Sequence, residues 1–215
     1  PQGGFDIAGL EVTSRSTNAV LGWSRVLSSS AGGRNVIDVS MIRSRLARDI
    51  ESVALQTDHS TVGRAAWMHI RRGERWQLFI EPSLSAGLSL LGATRDRPDL
   101  SRSDTHRQFL KWAIAAGVVV RSASDEVEYA VQLTAQRAGE SLIGAEQIHL
   151  GGFASVRGFR EVSVSGDTGH VLRSELRLPQ AFRPAGHPVV AFLHVDHGAA
   201  RLSEGRRKTL ASACP

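Results

Sequence analysis

Apolar and polar residues alternate with a period of two along most of this chain, the pattern of strands with one face in an apolar medium and the other in water. Ala19, Leu21 and Trp23 share a face. Ile37, Val39 and Met41 oppose Asp38 and Ser40, and Ala66, Met68 and Ile70 oppose Trp67, His69 and Arg71. Leu78, Ile80, Leu84, Ala86 and Leu88 oppose Glu81, Ser83 and Ser85, with Pro82 marking a bulge or an edge. From Gln108 to Arg121, Leu110, Trp112, Ile114, Ala116, Val118 and Val120 form one face. The alternation is clearest from Val127 to Gln136, where Val127, Tyr129, Val131, Leu133 and Ala135 oppose Glu128, Ala130, Gln132, Thr134 and Gln136. It recurs over His170 to Leu178 and Val189 to Val195, and Arg206 to Ala213 can begin one more strand.

Turns are expected at Ser28–Gly33, Arg72–Arg75, Ser122–Asp125 and Pro179–Pro188, and a polar loop from Gly92 to Arg107. Arg45 to Ser60 reads as polar and loop-like, with a short helix through Leu46, Ile50 and Val53 as the alternative. The sum is about nine strands joined as hairpins, with no helix-rich block. Strands of about ten residues favour a membrane barrel over a soluble sandwich, which stays open on periodicity alone.

Composition changes this picture little. Of the 215 residues, 41% are hydrophobic and 22% charged, which excludes bulk disorder. The net charge is +5, carried almost wholly by arginine, since lysine occurs only at Lys111 and Lys208. A basic balance suits nucleic acid, an anionic lipid surface or a charged channel, and no nucleic-acid motif is present. The one cysteine, Cys214, excludes an internal disulfide and a cysteine metal cluster. No apolar run reaches the roughly 18 residues of a membrane-crossing helix, whereas strands need only about 9–11. The opening Pro1-Gln2-Gly3-Gly4 lacks the charged and apolar regions of a secretory leader.

Between the strands ending near Gln136 and starting near His170 lies a connection far longer than a hairpin turn. It holds Gly151-Gly152-Phe153-Ala154-Ser155-Val156-Arg157-Gly158-Phe159, then Ser165-Gly166-Asp167-Thr168-Gly169, and leads into Arg173-Ser174-Glu175-Leu176. On composition alone this is a solvated arginine among turn glycines. A phosphate loop is excluded by the missing Gly-Lys-Ser/Thr and βαβ unit. His194, Asp196 and His197 lack a third metal ligand on one face, and nothing orders Ser155, His170 and Asp167 as a triad.

These motifs together resemble the C-terminal barrel of two-partner secretion transporters, the haemolysin-activator and filamentous-haemagglutinin-transporter family. That family lies in the superfamily that also holds the outer-membrane protein insertases. The resemblance covers essentially the whole chain, with Ser174 standing where family members usually carry Asn. It implies an all-β fold, a partial antiparallel transmembrane β-barrel with about nine to ten strands of a sixteen-stranded parent. The long loop, about 138–168, would fold into the lumen and bring Arg157 to an acid on the wall. That acid is Asp196, in His194-Val195-Asp196-His197-Gly198, which looks like the family's acid-x-Gly strand motif.

The site residues so implied are Gly151, Gly152, Val156, Arg157, Gly158 and Phe159 in the loop, with Phe159 filling space against the wall. Gly166, Asp167 and Gly169 form a second motif, and Arg173, Glu175, Asp196 and Gly198 belong to the wall. No catalytic residue, metal or cofactor is implied. The implied partners are a large secreted exoprotein of haemolysin or adhesin type, outer-membrane lipid and the barrel assembly machinery, with no nucleic acid. The implied place is the Gram-negative outer membrane, and the alternative role is that of an insertase. The family's plug helix, POTRA domains and closing strands are not found in residues 1–215, so the chain is expected to be a fragment unable to work alone.

Overall fold

The computed structural model describes residues 2–7, 10–50, 53–95, 105–124, 127–178, 189–202 and 208–214. Strands β1 (Gln2–Ile7), β2 (Leu10–Ser30), β3 (Gly33–Ile50), β4 (Val53–Arg72), β5 (Trp76–Gly87), β6 (Thr105–His106), β7 (Leu110–Arg121), β8 (Glu128–Ala138) and β9 (Ser141–Leu142) come first. A 3-10 turn (Gly144–Glu146) follows, then β10 (Ile148–Leu150), β11 (Val164–Gly166), β12 (Thr168–Arg177), β13 (Phe192–Arg201) and β14 (Lys208–Cys214). Among the described residues ten strands form one open sheet in the order β1-β2-β3-β4-β5-β7-β8-β12-β13-β14. Each neighbouring pair is antiparallel. The fold is therefore an all-β, partial antiparallel barrel wall, and its strands are consecutive apart from the short pieces in the two long loops.

Register fixes which side chains share a face. Arg173 lies opposite Asp196 and Gln132, Gln132 opposite Gly117, and Gly117 opposite Phe79. This polar face carries Glu81, Glu128, Glu175 and Arg177. The other face carries Trp112, Ile114, Val118, Val131, Leu172 and Val195, and it is richly exposed, with Trp112 at 60%. A sheet wet on one side and apolar over an exposed second side is the wall of a membrane barrel turned toward lipid.

Three strands are longer than expected: β2 has 21 residues, β3 has 18 and β4 has 20. Residues 45–60 are neither loop nor helix. Apart from 51 and 52, outside the described residues, they are the paired ends of β3 and β4, from Arg45 with His59 to Ile50 with Val53, with a register shift between Arg48 and Asp49. With both faces polar there, the period-two signal vanishes while the backbone ladder continues, because every N–H and C=O still needs a partner.

Pro82 sits inside an interior strand. The β4–β5 ladder skips from Ala66–Ser83 to His69–Ile80 around it, with no change of register, so it marks neither an edge nor a bulge. The last long strand runs on to Arg201 rather than stopping near His197. The turn expected at 179–188 and residues 96–104 of the polar loop expected from Gly92 to Arg107 lie outside the described residues.

Candidate functional site

The segment between β8 and β12 has a structure of its own. β10 and β11 pair as a short antiparallel ribbon, Ile148 with Gly166 and Leu150 with Val164. β9 pairs in parallel with β6. Alternation along the ribbon turns Ile148, Leu150 and Val164 toward the polar face of the sheet. There they pack with Val156 against Val171, Ala200 and Leu210. His149 and Ser165 point the other way and hydrogen-bond each other, Nδ1 to Oγ at 2.9 Å. Leu150 and Val156 are fully buried. Each such side chain stabilises the docked loop by about 1.5–3 kcal/mol relative to exposure. At the loop's start, fully buried Leu142 packs with Val62 and Phe109.

The ribbon's tip, residues 151–163, reverses the chain sharply. Gly152 has φ +88° and Gly158 φ +84°, the left-handed region in which a side chain is strained. The Gly152 N–H donates to the Phe159 carbonyl at 3.1 Å, closing the tip. This turn presents Arg157 to the wall.

Arg157 is 8% exposed and Asp196 is fully buried. Its Nε donates to Asp196 Oδ2 at 2.7 Å and its Nη2 to Oδ1 at 2.7 Å, the two-pronged fork that only a guanidinium can offer a carboxylate. The Arg157 backbone N–H adds a third bond to Oδ2 at 3.1 Å. Nη1 donates to Glu175. These hydrogen bonds, chiefly those to Asp196, raise the Arg157 pKa further above its ordinary value, so it is permanently charged. One cation thus meets two carboxylates on adjacent strands. From Glu175 the ion pairs continue along the wall: Arg177 Nε donates to Glu175 at 2.8 Å, Arg177 Nη1 to Glu128 at 3.1 Å, and Arg121 Nε to Glu128 at 3.0 Å.

Gly198 lies two residues beyond Asp196 on the same face. A Cβ there would come within 2.9 Å of Val156 Cγ2, so the loop can lie this close only on a bare backbone. Arg173, across from Asp196 in register, reaches the Ala154 carbonyl with Nη1 at 3.5 Å. The packing role expected of Phe159 belongs instead to Val156. Phe159 is 37% exposed and is not part of the buried cluster that holds Val156.

Asp167, flanked by Gly166 and Gly169, is fully buried and holds the base of the loop. Its Oδ1 accepts from the Leu142 N–H and from Gln147 Nε2, both at 2.9 Å, and Oδ2 accepts from Ser141 Oγ at 3.4 Å. Lys111 pairs with Glu146, whose carbonyl also accepts from Gln136 Nε2 at 2.9 Å. Ser141, Leu142, Glu146 and Gln147 were not picked out by sequence. The short alternation Ile148-His149-Leu150 was the available sign of structure within the loop. Among the described residues no group of three or more His, Cys, Asp or Glu is placed to hold a metal ion.

The profile of the family described as haemolysin secretion/activation protein ShlB/FhaC/HecB matches residues 7–214. The chain is 32% identical over 166 residues to the outer membrane transporter CdiB of Dickeya dadantii, covering 77% of this chain and 27% of that protein. It is 38% identical over 100 residues to CdiB of Escherichia coli O6:K15:H31, covering 45% of this chain and 16% of that protein. Among solved structures, CdiB from Escherichia coli superposes with a TM-score of 0.83 at 25% identity, over 99% of this chain and 40% of that one. CdiB from Acinetobacter baumannii, at 16% identity and TM-score 0.76 over 98% of this chain and 38% of that one, shares the fold. The chain thus spans about a quarter of the length of the first of these curated relatives.

Proposed function

The chain belongs to the ShlB/FhaC/HecB family of haemolysin secretion/activation proteins, and from that premise we propose that it forms part of the barrel of a two-partner secretion transporter. The transporter sits in the Gram-negative outer membrane and exports a large partner exoprotein of haemolysin or adhesin type through its lumen. The apolar face meets lipid, the polar face lines the pore, and the barrel assembly machinery inserts the protein. The loop between β8 and β12 then lies inside the lumen, where it occupies space that a passing polypeptide needs. The role asks for no bond-making chemistry and no cofactor.

The observation that carries this reading is the Arg157 fork onto Asp196 with its third nitrogen on Glu175. A solvated loop arginine needs no such partner set. A loop held by charge-assisted bonds and a few apolar contacts is latched, and can still be released when a substrate displaces those bonds. In water-filled surroundings this costs far less than exposing ion pairs to hydrocarbon.

The test uses the full-length polypeptide that carries this segment. Arg157→Ala should leave the protein inserted, with heat-modifiable electrophoretic mobility, and lower the amount of partner in the medium by at least about tenfold, the effect of losing a buried charge-assisted contact. Normal secretion by the inserted variant would remove the working role from the loop.

A further inference from the structure

Charge is segregated between the two faces of the sheet. Every acidic side chain described in its ten strands, namely Asp38, Asp58, Glu81, Glu128, Glu175 and Asp196, falls on the polar face by register. The apolar face nevertheless carries ionisable side chains, and those described are arginine, histidine and Tyr129. One group of them lies where β2, β3 and β4 approach the long loops. Arg45 lies opposite Thr17 and His59, Arg43 opposite Ala19 and Thr61, and Arg15 two positions along β2 from Thr17. Same-face neighbours on one strand are about 7 Å apart and adjacent strands about 4.8 Å, so these arginines lie within the span of one multiply phosphorylated headgroup. None has an acidic partner among the described residues. His59 adds a buried Nδ1 with no hydrogen-bond partner among them.

A second observation concerns the turn beyond β5. It runs back along β4, with the Leu88 N–H donating to the Thr61 carbonyl and the Thr94 N–H to the His59 carbonyl, both at 2.8 Å. Its tip exposes Leu90 (55%) and Leu91 (52%). A Cβ at Gly92 would lie 3.8 Å from Arg43 Nη2, so the Arg43 guanidinium spans β4 to reach this turn. Two bare leucines therefore flank unpaired arginines at the border between the apolar band and the polar hairpin ends.

We propose that Arg15, Arg43 and Arg45, with His59, bind the phosphate groups of an outer-leaflet lipid whose acyl chains lie against Leu90 and Leu91. This rests on the outer-membrane reading above, in which long loops face outward. Cations with no carboxylate partner among the described residues suit a phosphorylated headgroup, and the arginine fork suits phosphate geometry. A free phosphate ion would use the arginines and gain nothing from the leucines.

The experiment uses the full-length polypeptide in detergent, titrated in native mass spectrometry with three probes. These are a bis-phosphorylated acyl-disaccharide, its phosphate-free counterpart and inorganic phosphate. The wild type should hold the phosphorylated lipid at least about tenfold more tightly than the phosphate-free one, and Arg43→Gln with Arg45→Gln should abolish that preference while Arg25→Gln keeps it. Equal retention of both lipids by the wild type, a comparison that needs no variant, would overturn the site. So would an unchanged preference in the double variant. Displacement of the lipid by excess inorganic phosphate would make it a free-anion site and refute the lipid assignment. Failure of the outer-membrane reading has its own sign, a wild type that lacks heat-modifiable mobility altogether.

Discussion

Three nitrogens of the Arg157 guanidinium are already assigned, two to Asp196 and one to Glu175, so the site reads shape as well as charge. Arg157→Lys keeps the cation and loses the fork. It should leave the loop docked more weakly than in the wild type and more firmly than in Arg157→Ala, where Asp196 loses its fork and Glu175 keeps only Arg177. Removing one partner of a buried pair costs about 3–5 kcal/mol. The rate at which protease cleaves within residues 144–163 ranks the three proteins, and lysine equal to arginine would show that charge alone suffices. The pH response has a definite sign. A raised arginine pKa contributes stability present below the unfolded value and lost only as pH rises through the folded one, far above working conditions. Protection of the loop should therefore stay flat from about pH 7 to about pH 9. Progressive loss across that window would assign the latch to another group.

At the level of the element, the loop stands on Asp167. Asp167→Ala strands the Leu142 N–H and the Gln147 amide in a buried place, at about 1–3 kcal/mol for each unsatisfied group. Hydrogen exchange should quicken across β9 to β11 while β12 and β13 remain protected, and equal quickening in all of them would make Asp167 a sheet residue instead. These elements also divide what sequence makes legible from what it hides. Strands such as β7 and β8 announce themselves because lipid on one side and water on the other write a period of two into residues 110–138. The Arg45–Ser60 hairpin end has polar residues on both faces and leaves no such record. The β10–β11 ribbon is three residues deep, too short for a period to emerge from Ile148-His149-Leu150. Arg157 and Asp196 were legible as a pair only through the company of neighbouring motifs. Val156 was named with the loop residues, yet its packing beside Gly198 was not legible, since nothing local distinguishes it from Phe159 in that respect.

For the whole molecule, parity along each strand is the governing variable. Ala130 and Val131 are neighbours, yet Ala130 lies opposite Glu175 on the polar face and Val131 opposite Ser174 on the apolar one. Val131→Arg should cost about 2–4 kcal/mol near the bilayer midplane and sharply reduce assembly. Ala130→Arg, beside an acid, should be tolerated. Heat-modifiable protein recovered from membranes compares them directly, and equal yields would overturn the assignment of faces.

The loop's docking surface has a consequence in time. Arg157 precedes its partner by 39 residues, and Val156 and Leu150 rest on β13 and β14, which follow the loop in the chain. Until those strands have zipped onto β12, the ribbon has no seat. The latch therefore closes only after β12, β13 and β14 have paired, whichever of them joins first, since together they furnish its seat.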